Sequence, residues 1–141
     1  MPRETWILVT IALSPGRALQ PLQLQSAMSV LSRKLTSEQL QSDDFYRFER
    51  HDYGTFSLAV HLDAERMGEA DLLVIDNDLW PARQYVLTSK GDAAAHLALA
   101  RLPLELVRYV EAMVRWITSY GIGELMHVRL DDYCPFPAYD C

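Results

Sequence analysis

The side chains best suited to proton transfer or metal ligation near neutral pH are four histidines, and their spacing argues against both roles. His51, His61, His96 and His127 are scattered, and none has a second histidine one helical turn away beside a carboxylate. Asp76-Asn77-Asp78 has the beginning of a calcium loop, but the glycine and the closing glutamate are missing, so it reads as a solvated turn. Gly121-Ile122-Gly123 lacks a third glycine and falls between helical segments, where it reads as a helix break. Neither a Gly-rich phosphate loop nor a nucleophile elbow occurs. Cys134 and Cys141 sit near the C-terminal end with a spacing that matches no common zinc pattern. These side chains predict a protein that is not an enzyme and uses no metal or cofactor.

The chain of 141 residues is 50% hydrophobic and 23% charged, which predicts one globular domain spanning residues 1–141. Its formal net charge of -6 weighs against nucleic acid as a partner, since phosphate binding needs clustered cations. The lysines are Lys34 and Lys90, and the arginines are scattered. Apolar runs fall short of the ~20 residues that span a bilayer, so no membrane is expected. The apolar stretch Trp6 to Leu13 could be mistaken for part of a secretory leader. Glu4 and the lack of a small-x-small cleavage site favour a core helix and a cytoplasmic protein with reduced cysteines.

The elements follow from local signals. Thr5 to Leu13 is apolar nearly all round and stops at Ser14-Pro15-Gly16, which predicts a first, buried helix. Pro21 suits the first position of a second helix, along which Leu24, Met28, Leu31 and Leu35 recur at helical spacing. Thr36 to Gln39 can cap a short turn or helix. Phe45 to Glu49 alternates like a short strand, His51 to Gly54 has turn chemistry, and Ser57 suits the N-cap of a helix from Leu58 to about Ala70. On that helix Leu58, Ala59, Val60, Leu62, Ala64, Met67 and Ala70 form a broad apolar side. His61, Glu65, Gly68 and Glu69 lie opposite, flanked by Asp63 and Arg66.

Leu72 to Ile75 and Arg83 to Leu87 predict a hairpin across a long loop, and Thr88 or Ser89 opens the next helix, through Leu99. After the break at Leu102-Pro103, a helix from Pro103 to Tyr120 carries the clearest amphipathic stripe: Leu106, Val110, Met113, Ile117 and Tyr120, widened by Val107 and Val114. Glu111 and Arg115 form an i,i+4 pair on its other side, and Gly121 ends it. A short helix from Gly123 to about Leu130 precedes an aromatic, proline-containing tail expected to dock on the core. The order strand, helix, hairpin, helix is that of a winged-helix core. The predicted fold is therefore α+β and mainly helical, with a winged-helix-like core, a small antiparallel sheet and C-terminal helices.

In such a core the helix from Leu58 would enter a DNA groove, yet it offers His61, Glu65 and Glu69, and the loop tip adds Asp76 and Asp78. Those carboxylates would repel phosphates, so nucleic acid is not the expected partner and a transcriptional regulator is the alternative reading. A protein partner fits better, with Trp80 in its loop as an aromatic anchor and Tyr109 and Trp116 at the edge of the last long helix. That edge could also serve a homodimer.

Several motifs follow one another in a recognisable order. They are DYGTFS at Asp52 to Ser57, QYVLTSKG at Gln84 to Gly91, VRWITSYGIGEL at Val114 to Leu125, and the aromatic tail. Together, from about Pro21 onward, they resemble the Panacea (SocA-like) domain, with a layout similar also to bacterial proteins of the YwgA type. Thr55 stands where that family usually has proline, and one residue separates Tyr133 from Pro135. The resemblance implies a non-catalytic antitoxin or defence-associated adaptor, for example in phage defence, that neutralises or delivers a cognate protein. Tyr53, Gly54, Phe56, Tyr85, Leu87, Thr88 and Gly91 match its motifs, and the resemblance implies structural roles for them.

Overall fold

A computed structural model describes residues 1–51, 54–76 and 83–127, the side chains at 50, 51, 54, 55 and 122 aside. It is mainly helical with a small antiparallel sheet. The helices are α1 (Thr5–Leu13), α2 (Pro21–Lys34), α3 (Ser37–Leu40), α4 (Leu58–Glu69), α5 (Ser89–Leu99), α6 (Leu104–Thr118) and α7 (Ile122–Leu125). The strands are β1 (Ala18–Leu19), β2 (Glu49–His51), β3 (Gly54–Phe56), β4 (Leu73–Asp76) and β5 (Gln84–Leu87).

The apolar character of α1 is explained by its surroundings. It packs against α2, α5, α6 and β5, and Trp6, Ile7, Val9 and Ile11 are fully buried. The Trp6 indole donates to the Leu40 carbonyl at 2.8 Å, which satisfies its polar atom inside the core. The stripe of α6 meets α1 and α2 with Leu106, Val110, Met113, Val114 and Ile117. α6 ends at Thr118, slightly earlier than the sequence suggested, because Ser119 already closes the last turn onto Arg115 and Trp116. Glu111 and Arg115 pair across 3.7 Å.

Two caps fall where the sequence put them. The Thr36 hydroxyl accepts from the Gln39 amide, and the Gln39 side chain accepts in return from the Thr36 amide, forming a capping box for α3. The Thr88 hydroxyl accepts from the Gly91 amide and opens α5. Ser57 differs: its hydroxyl makes no cap bond to α4. The Gln25 side chain takes its place in holding the segment, donating to the Ser57 carbonyl at 3.0 Å and accepting from the Ser57 amide at 2.9 Å.

The sheet has the order β1-β5-β4, all antiparallel. Ala18 faces Val86, which faces Val74 on the next strand. α1, β1, α2, α4 and the β4–β5 hairpin follow one another in a winged-helix-like order, with α3, β2 and β3 inserted between α2 and α4, and the 77–82 loop of the hairpin lies outside the described residues. The strand that completes the sheet is Ala18–Leu19, which its length of two residues hid. Gly16 at φ 75 and Arg17 at φ 54 make the left-handed turn that brings it into register.

The expected strand from Phe45 to Glu49 is corrected to Glu49–His51. Phe45 to Phe48 form no ladder, because Tyr46 turns into the core, stacked edge-on against Phe45 at 5.1 Å. β2 pairs instead with β3 in a separate two-stranded ribbon. The last helix, expected to run to about Leu130, is described as Ile122–Leu125. The tail, with Cys134 and Cys141, lies outside the described residues.

Candidate functional site

The amphipathic assignment of α4 needs correction. Val60, Asp63, Ala64 and Met67 are buried, whereas Leu58 is 59% exposed and Leu62 43% exposed. Asp63 lies one turn from both Val60 and Met67, so it shares their inward line at 100° per residue. Ala70, placed with the apolar side, is an exposed C-cap.

Asp63 can be buried because its charge is matched. Tyr46 Oη donates to Oδ2 at 2.7 Å, Arg3 Nε donates to the same oxygen at 3.2 Å, and an Arg66 guanidinium nitrogen lies 3.4 Å from Oδ1. The Arg3 guanidinium also stacks 4.8 Å over the Tyr46 ring. Burial, and then the bond to Asp63, push the Tyr46 phenol far above its ordinary pKa. A cleft of about 490 Å³ opens beside this cluster, lined by Arg3, Asp44, Asp63, Arg66 and Leu72. Arg3 and Arg66 are tied to Asp63, and Arg3 also approaches Asp44 at 3.8 Å, so these charges pair with one another.

The outward side of α4 carries the expected contact residues in a distinct order. At 100° per residue, Leu58, Leu62, Glu65 and Glu69 fall on one line pointing away from the core. The line is apolar in its first half and acidic in its second. His61 stands beside it, its Nε2 3.8 Å from Glu65. Arg83, just before β5, reaches Glu65 at 2.7 Å and lies 5.9 Å from the centre of the Tyr85 ring. Burial raises the Tyr85 phenol; Arg83 opposes that shift and Glu65 adds to it. Among the described residues, no side-chain partner engages the Glu69 carboxylate, and the residue is exposed.

The other expected contact residues are elsewhere. Tyr109 and Trp116 occupy one line of α6 and are half-buried against the core, with Trp116 edge-on to Tyr120 at 5.5 Å. Burial raises the Tyr109 phenol. α6 packs on α1 and α2, while α4 packs on α2 and β4, so these aromatics do not join the α4 line. Trp80 and Tyr53 lie outside the described residues. Gly54 sits in β3 opposite His51, and Phe56 packs half-buried opposite Glu49. Tyr85 and Leu87 pack on the core, Thr88 caps α5, and Gly91 passes so close to the Leu72 carbonyl that a Cβ there would collide with it.

Sequence reasoning missed Leu58 and Leu62 as surface residues, and Arg3, Tyr46 and Asp63 as a cluster. For Asp63 the signal was present in its helical phase with Val60 and Met67. For Arg3 and Tyr46 there was none, since each meets Asp63 across a long stretch of chain. Among the described residues, no three His, Cys, Asp or Glu side chains gather as a metal site, and no helix is long and apolar enough to cross a membrane. Neither a protein-family model, nor a curated protein sequence, nor a solved structure matches this chain.

Proposed function

We propose that the protein is a non-catalytic protein-binding module that uses the outward face of α4 as its contact surface. The observation that carries the reading is the composition of that face. The helix that a winged-helix reader would place in the major groove here exposes Leu58 and Leu62, followed by Glu65 and Glu69. Two exposed leucines one turn apart are an anchor for apolar surface, and the carboxylates beyond them disfavour phosphate. The motif order that resembles the Panacea domain supplies the class of partner: a cognate toxin or client that the module neutralises or delivers. The test is co-expression with the product of the adjacent gene, followed by size exclusion. A stable complex that disappears with the paired substitutions Leu58→Ser and Leu62→Ser supports the reading, and the absence of any complex removes it.

The runner-up is a DNA-binding regulator, favoured by the sheet order and the placement of α4. It ranks second because Arg83, the cation nearest the wing, is already held by Glu65. A gel shift at low salt with the chain's own promoter distinguishes it, a retarded and salt-sensitive band being the outcome in its favour.

A further inference from the structure

The order of side chains along α4 constrains more than the existence of a partner; it constrains what the partner presents. We infer that α4 receives a basic amphipathic helix, one carrying a pair of aliphatic residues followed by Lys or Arg one to two turns further along. The inference rests on the protein-binding reading and specifies the chemistry of its partner.

Three other occupants are disfavoured by the same geometry. A second copy of this chain docking α4 on α4 in antiparallel fashion would lay Glu65 and Glu69 over the partner's leucines. Carboxylates would then lose water against apolar surface. A parallel arrangement would stack like charges on one another. DNA and anionic lipid both bring phosphates to a carboxylate-bearing stripe on a chain of net charge -6. A basic amphipathic helix meets both halves of the stripe at once: its aliphatic pair covers Leu58 and Leu62, 59% and 43% exposed, and its cations reach Glu69. Glu65 is already paired with Arg83 at 2.7 Å, so the charge offered to a partner is that of Glu69, a carboxylate with no side-chain partner among the described residues.

The probe is a fluorescein-labelled helical peptide built of Leu and Lys at heptad spacing, titrated into the full chain and followed by anisotropy. Its controls are a Leu/Glu peptide of the same pattern and a Lys/Ser peptide of the same charge. The Leu/Lys peptide is expected to bind and the two controls to bind at least about tenfold more weakly. Leu58→Ser with Leu62→Ser is expected to weaken Leu/Lys binding at least about tenfold, and Glu69→Lys several-fold with a shallower salt dependence. Leu97→Ser, on an exposed leucine of α5, should leave it unchanged. Equal binding of the Lys/Ser peptide, or binding unaffected by the paired leucine substitutions, overturns the inference. If the Leu/Lys peptide fails while a cellular protein complex is still lost in the leucine variant, the protein-binding reading stands and the basic-helix partner falls.

Discussion

Gln25 and Ser57 grip one another through both sides of a single backbone position: the Gln25 amide donates to the Ser57 carbonyl and accepts from the Ser57 N–H, both contacts buried. This clasp fixes the entry of α4 against α2, the work that a serine cap alone was expected to do. Gln25→Leu keeps the volume but leaves the Ser57 amide without its acceptor. An unmade buried hydrogen bond costs about 1–3 kcal/mol. Urea unfolding should show a lowered midpoint with an unchanged slope; an unchanged midpoint would mean the clasp contributes nothing to stability.

Asp63→Ala should be among the most damaging single changes, at about 3 kcal/mol or more. It strips a buried site of the one charge that Arg3, Arg66 and the Tyr46 hydroxyl share. Asp63→Asn, which keeps an acceptor, should cost less. The ordering of the two variants in thermal melts is the check.

Gly91 has no room for a side chain, since an added Cβ would run into the Leu72 backbone carbonyl. Gly91→Ala should therefore destabilise the chain by about 1–3 kcal/mol, although alanine is the better helix former. A gain in melting temperature for this variant would contradict the close approach of α5 to the Leu72 backbone.

Stability should fall in alkali. Burial raises the phenols of Tyr46 and Tyr85 above the ordinary value of 10.0. Above that pH the unfolded chain has lost protons that the folded one retains, so the unfolding free energy declines as pH rises through the folded values. The decline is about 1.4 kcal/mol per pH unit for each such tyrosine. Below pH about 10 these groups should contribute no pH dependence. Denaturant titrations at pH 9, 10 and 11 test this, and Tyr46→Phe should flatten the curve relative to the parent.

Leu58→Ser and Leu62→Ser, singly or together, should change stability by no more than about 1 kcal/mol per site, because Leu58 is 59% and Leu62 43% exposed. A larger loss in chemical denaturation would show that α4 presents a different face.

What the sequence disclosed and withheld follows from the range of each signal. Pro21, Thr36 and Thr88 act within one turn of helix, and each opens its element as read. The α6 stripe is legible because it is long and repeats. β1 was invisible because two residues carry no periodicity, and its pairing to β5 is a distant contact. Tyr46 looked like a strand residue because aromatics suit strands, but its hydroxyl is claimed by Asp63 in α4. The face of α4 was misjudged because hydrophobicity alone placed Leu58 and Leu62 inward. The face that is buried carries Val60, Ala64 and Met67 together with Asp63, whose charge is matched by Arg3, Arg66 and the Tyr46 hydroxyl.

The burial of α1 from Trp6 to Ile11 has a consequence for biosynthesis. Its apolar surface is covered by α5 and α6 as much as by its neighbour α2, and the strand that follows it waits for β5. During translation the first helix therefore emerges from the ribosome long before the partners that shield it. The nascent chain must carry an exposed hydrophobic segment until α5 and α6 have been made. Chaperone engagement should accordingly concentrate on that early segment, and release should coincide with the appearance of α6.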